Sequence, residues 1–84
     1  MVVIKFYKDN CKPCEKLAAF AKALGYQFTH EFNTGKLTDE QLEYYDLKML
    51  PTVITYGDVG QVTNRYEGVR QCEEFVTTQC KTKV

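Results

Sequence analysis

Residues 8–14 read Lys8-Asp9-Asn10-Cys11-Lys12-Pro13-Cys14, and what lies on either side of them decides the fold. Before them, Val2 to Tyr7 is β-branched and aromatic, which predicts a buried strand. After them, Cys14, Leu17, Ala18, Ala21 and Leu24 recur at helical spacing. This predicts a helix from Lys12 to Leu24, with Gly25 where helix ends favour glycine. Lys8-Asp9-Asn10 is the polar break between the two. The cysteine pair therefore falls on a strand-to-helix junction and not inside an element.

That position has chemical consequences. With Cys11 near the helix N-cap, Cys14 stands one turn further on, and the two sulfurs can close a tight disulfide ring. Cys11 lies at the positive end of the helix dipole, where backbone N–H groups lack intrahelical partners. Pro13 has no N–H, so the Cys14 amide is the expected donor to a Cys11 thiolate. Lys8 and Lys12 add positive charge. All three effects predict a lowered thiol pKa for Cys11. Pro13 suits the first helical turn and stiffens the ring.

Working outward, Tyr26 to Phe32 alternates around Phe28, His30 and Phe32 and predicts a second strand. Asn33-Thr34-Gly35 is a turn. Thr38-Asp39-Glu40-Gln41 resembles a capping box opening a short helix with Leu42 and Tyr45. Pro51 opens a third strand, Thr52 to Tyr56, and Gly57 to Gly60 turns the chain into a fourth, Gln61 to Glu67, polar enough for a sheet edge. After Gly68 a last helix carries Cys72, Phe75, Val76 and Cys80 on one stripe. The order is β-α-β-α-β-β-α. The first β-α-β unit should be parallel and right-handed and the last two strands an antiparallel hairpin. The fold class is α/β, a mixed four-stranded sheet with helices on both faces.

The 84 residues leave room for a single domain, 1–84. With 44% hydrophobic and 26% charged residues, the composition is globular. Eleven basic and eleven acidic side chains balance, which argues against nucleic-acid binding and a polybasic membrane anchor. No apolar run approaches the ~20 residues that span a bilayer. Lys5 interrupts the apolar start too early for a signal peptide, so a cytoplasmic location is expected, where thiols stay reduced.

A Cys-x-x-Cys in that setting points to redox chemistry or metal. Cys72 and Cys80 are eight apart, and His30 is the one histidine, which does not match a second zinc knuckle. On a helix those two cysteines lie ~12 Å apart along the axis, too far to bridge. They are expected to be small core residues, and His30 a packed one; no metal or bound cofactor is expected.

A strand, a Cys-x-x-Cys at a helix start and a proline opening a later strand closely resemble the thioredoxin superfamily over nearly the whole chain. The resemblance implies that the Leu50–Pro51 bond is cis and lies beside the sulfur pair. The family's buried acidic residue would fall six before Cys11, where this chain has Lys5. Asn10 stands where thioredoxins have tryptophan, and Tyr7 is expected to fill some of that space. The compact form looks like a glutaredoxin, and Lys8 matches the lysine of Lys-x-x-Cys-x-x-Cys. The Gly-Gly-acidic stretch that grips glutathione is replaced by Gly68-Val69-Arg70-Gln71, which looks like the NrdH-type redoxins. Very small viral redoxins share this architecture.

The resemblance implies thiol–disulfide exchange on protein disulfides, with Cys11 attacking and Cys14, the more buried, resolving. Leu50 and Pro51 would receive the substrate chain, with Val69 and Arg70 on the other side of the groove and Lys8, Lys12 and Pro13 around the sulfurs. Tyr7 and Gly68 would support them. Ribonucleotide reductase is the implied substrate, thioredoxin reductase the implied electron donor, and a monomer the expected state. A glutathione-dependent glutaredoxin, a non-catalytic interaction subunit and an iron–sulfur or zinc carrier remain as alternatives.

Overall fold

The computed structural model describes residues 1–81. Strand β1 is Val2–Tyr7, helix α1 Lys12–Ala23, strand β2 His30–Asn33, helix α2 Asp39–Tyr45, strand β3 Thr52–Tyr56, strand β4 Val62–Glu67 and helix α3 Val69–Lys81. A single 3-10 turn, Thr34–Lys36, stands between β2 and α2. The order of elements is the one the sequence predicts.

The sheet runs β2-β1-β3-β4. β2 lies parallel to β1, with Lys5 opposite Glu31, and β3 lies antiparallel to β1, with Ile4 opposite Ile54. β4 completes an antiparallel hairpin with β3 and occupies the edge that its polarity predicts.

Because side chains alternate along a strand, β1 supplies two cores. Val3 points to one face, where Leu17 and Ala21 of α1 meet Cys72, Phe75 and Val76 of α3 over Val53. Ile4 and Phe6 point to the other, where they meet Ile54 with Leu37, Tyr45 and Leu47 around α2. Helices thus cover both faces. Phe6 and Leu17 are completely buried, each contributing about 1.5–3 kcal/mol relative to exposure.

Local signals set the element ends. Gly25 has φ +71°, its N–H reaches the Lys22 carbonyl at 3.1 Å, and the Tyr26 N–H reaches the Ala21 carbonyl at 2.9 Å. This left-handed cap ends α1 at Ala23, one residue before the expected Leu24. The capping box at α2 is complete: Thr38 Oγ1 accepts from the Gln41 amide at 3.1 Å, and Gln41 Oε1 accepts from the Thr38 amide at 2.9 Å.

The second strand is shorter than the alternation predicts. Tyr26 and Phe28 are inward-packed, with edge-on ring contacts from Tyr26 to Phe28 and Phe75, yet backbone pairing begins only at His30. The alternation there reflects an extended segment anchored by side chains, and Thr29 Oγ1 accepts the Val3 amide at 3.0 Å. His30 corrects a second expectation: it is exposed, stacked on Phe32, and not packed inside. Cys72 is fully buried as expected, whereas Cys80 is only half-buried. Among the described residues, no helix is long and apolar enough to cross a membrane.

Candidate active site

The end of β1 delivers the chain to α1 through Asn10, whose φ of +56° is a left-handed turn that asparagine tolerates well. Cys11 then forms the N-cap of α1 with extended backbone angles. Its Sγ accepts the Cys14 amide at 3.3 Å, and its carbonyl accepts the Glu15 amide at 3.0 Å. Pro13 sits in the first turn, where its missing N–H leaves no bond unmade. Cys11 and Cys14 are joined as a disulfide, with Cα atoms 5.2 Å apart. The N–H that the sequence assigns to a Cys11 thiolate is therefore already aimed at that sulfur.

The two cysteines are about equally buried in this bonded state, 6% and 5% exposed, so burial does not separate their roles. Their surroundings do. Cys11 opens onto a groove lined by Lys8, Lys12, Pro13, Leu47, Met49 and Leu50, with Asn10, Thr34, Leu42 and Lys48. Cys14 lines a second cavity with Lys5, Tyr7, Asp9, Glu15, Ala18 and Glu31, which shares Lys8 and Asn10 with the first.

The Leu50–Pro51 bond is cis, as the resemblance implies. Leu50 lines the Cys11 groove, and Pro51 is buried behind it. The Pro51 carbonyl accepts the Gly68 amide at 2.9 Å, and Thr52 Oγ1 donates to the Met49 carbonyl at 2.5 Å. Gly68 has φ +88°, a conformation that glycine adopts without side-chain strain. These contacts fix the loop that carries Leu50.

Val69 and Arg70 depart from expectation. Helix α3 begins at Val69, whose side chain packs against the core of Leu17 and Cys72. Arg70, the next residue around the helix, is 92% exposed and reaches Glu74 at 3.7 Å. Neither lines the groove that holds Cys11 and Leu50. The residues that do line it, and that sequence reasoning missed, are Leu42, Leu47, Lys48 and Met49, with Thr34 and Asn10. The signal was available: an apolar run with one lysine directly before Pro51.

Lys5 stands where the resemblance places an acidic residue, and it is buried. Its Nζ meets Glu31 Oε1 at 2.5 Å and lies over the rings of Tyr7 and Phe28 at 5.4 and 5.1 Å. Glu31, at the register position opposite Lys5 on the neighbouring strand, shares the lining of the Cys14 cavity with Asp9 and Glu15. Burial pushes the Cys72 thiol up to about 12, so it is protonated at neutral pH. Among the described residues, no three His, Cys, Asp or Glu side chains are grouped to hold a metal ion.

The thioredoxin family model matches residues 1–81. The chain belongs to the thioredoxin family. Solved thioredoxins share its fold. Deadhead, a germline-specific thioredoxin of Drosophila melanogaster, has a TM-score of 0.74 at 20% identity, covering 99% of this chain and 80% of that one. A Schistosoma mansoni thioredoxin gives 0.74 at 24% identity, covering 99% and 78%. A Fasciola hepatica thioredoxin gives 0.70 at 23% identity, covering 92% and 78%. No curated protein matches the chain. As a thioredoxin-family oxidoreductase, it carries its redox pair at Cys11 and Cys14.

Proposed function

We propose that this thioredoxin-family protein reduces protein disulfides through Cys11 as attacking thiolate and Cys14 as resolving thiol. The observation that carries the reading is the Cys11 Sγ at the α1 N-cap, accepting the Cys14 amide where Cys11 lines an open groove. That N–H and the helix dipole favour a thiolate at Cys11 over one at Cys14.

The reduced pair acts in two exchanges. The Cys11 thiolate attacks one sulfur of the substrate disulfide. A bond forms between them, the substrate S–S bond breaks, and the departing sulfur takes a proton from water. Cys14 then gives up its proton and attacks the Cys11 sulfur. The mixed disulfide breaks, and the second substrate sulfur leaves and is protonated. Two electrons pass to the substrate, and Cys11 and Cys14 end as the disulfide. The backbone of Leu50 pairs with the substrate chain as a short added strand, with Pro51 and Gly68 holding that loop.

The donor we propose is thioredoxin reductase, and the resemblance to NrdH-type redoxins names ribonucleotide reductase as a substrate. Membership in the thioredoxin family supports this choice. So does Val69, which occupies the place of a glutathione-gripping glycine and packs into the core. The test is a pair of coupled NADPH assays on the oxidised protein at matched flux. Faster reduction with thioredoxin reductase than with glutathione and its reductase is expected; the reverse order would assign the chain to glutathione.

A further inference from the structure

The groove beside Cys11 has a one-sided charge. Lys8, Lys12 and Lys48 line it and no aspartate or glutamate does, although the whole chain has eleven of each sign. The asymmetry is local, because the cavity on the Cys14 side mixes Lys5 and Lys8 with Asp9, Glu15 and Glu31. Lys8 and Lys12 are exposed and have no ion-pair partner among the described residues. Lys48 approaches Asp46 at 3.7 Å with both side chains about 70% exposed, a geometry that binds weakly and leaves the ammonium free to turn. The apolar part of the lining is Leu42, Leu47, Met49 and Leu50, with Met49 half exposed.

We propose that the groove selects protein disulfides whose cysteine lies beside an apolar residue and is flanked by acidic side chains. This rests on the reading of Cys11 as the attacking thiolate. The apolar neighbour sits over Met49 and Leu50, and the flanking carboxylates meet Lys8, Lys12 and Lys48. Complementary charge of this kind steers encounter and sets register, and it rejects basic segments that the apolar lining alone accepts.

The test uses the reduced protein and two synthetic peptide disulfides that differ only in having glutamate or glutamine at the flanking positions. Hydroxyethyl disulfide, small and neutral, is the control. The acidic peptide is expected to be reduced about tenfold faster at low salt, with most of that advantage lost at ~0.5 M salt. Substituting Lys8→Gln, Lys12→Gln and Lys48→Gln together should erase the difference. Lys48→Glu alone, farther from the cysteine ring in sequence, should cut it about threefold. Equal rates for the two peptides, with hydroxyethyl disulfide still reduced, would overturn the charge selection and leave the redox reading intact. Failure to reduce any of the three would overturn the redox reading itself. Faster reduction of glutathione disulfide than of the acidic peptide would give the groove to glutathione and reject a protein segment. A single-stranded oligonucleotide that shields Cys11 from alkylation more strongly than the acidic peptide would likewise reject it.

Discussion

The Gly68 amide donates to the Pro51 carbonyl at 2.9 Å, and the Cys72 thiol approaches the same oxygen at 3.6 Å. One carbonyl therefore couples the start of α3 to the loop that presents Leu50 beside Cys11. The Cys72 amide in turn donates to the Gly68 carbonyl at 3.1 Å. The groove wall is fixed from behind by backbone groups, with Gly68 as the residue that makes the geometry possible.

Gly68→Ala is expected to destabilise the fold and slow disulfide reduction together. A Cβ there would meet the Met49 sulfur and methyl at 3.6 Å, ordinary contact, so the cost comes from the φ of +88° and not from a clash. The expected loss is about 1–2 kcal/mol. Urea unfolding should show a lower midpoint with unchanged slope; an unchanged midpoint would mean that the turn does not need glycine.

The Lys5–Glu31 pair predicts an asymmetry between its two partners. Glu31 is half-exposed while the Lys5 side chain is 6% exposed. Glu31→Gln leaves a buried ammonium without its counter-charge, at an expected cost of about 1–3 kcal/mol. Lys5→Met removes the buried charge and keeps the packing against Tyr7 and Phe28, so it should be close to neutral or stabilising. Denaturation midpoints of the two variants decide this, and a Lys5→Met variant weaker than Glu31→Gln would contradict it.

Much of this arrangement was legible in the sequence, and the failures have physical causes. The Cys11-Lys12-Pro13-Cys14 junction, the Thr38 capping box and the proline before β3 are local signals, and the structure follows them. The Lys5–Glu31 contact is non-local: it depends on the parallel register of β1 and β2, which local patterns do not specify. The resemblance implies that Val69 and Arg70 are neighbours along a groove. Starting α3 at Val69 turns them about 100° apart on the helix, one inward and one to solvent. The alternation predicts His30 inward, but pairing that begins at His30 puts it on the exposed end of an edge strand.

Cys72 predicts an alkaline loss of stability. It is fully buried, and burial raises its thiol from an ordinary value of 9.0 to about 12. A raised folded value means that the folded state keeps its proton while the unfolded chain loses it. The contribution is fully present below about pH 9 and is lost as the pH rises towards about 12. From pH 8 to 10.5 the oxidised protein should lose about 2 kcal/mol through this group. Tyr26 and Tyr56, raised mainly by burial, act in the same direction. Cys72→Ala should therefore show a shallower, not a flat, decline in urea midpoint; an equally steep one would remove Cys72 from the account.

The assignment of Cys11 as attacking thiolate is tested most directly by trapping the mixed disulfide. Reduced Cys14→Ser and Cys11→Ser variants are mixed with an oxidised protein substrate, quenched with acid and mapped by mass spectrometry. Cys14→Ser is expected to accumulate a covalent adduct through Cys11, because the first exchange proceeds and the second cannot. Cys11→Ser is expected to form none. An adduct through Cys14 in the Cys11→Ser variant, with none in Cys14→Ser, would reverse the roles and contradict the reading of the α1 N-terminus.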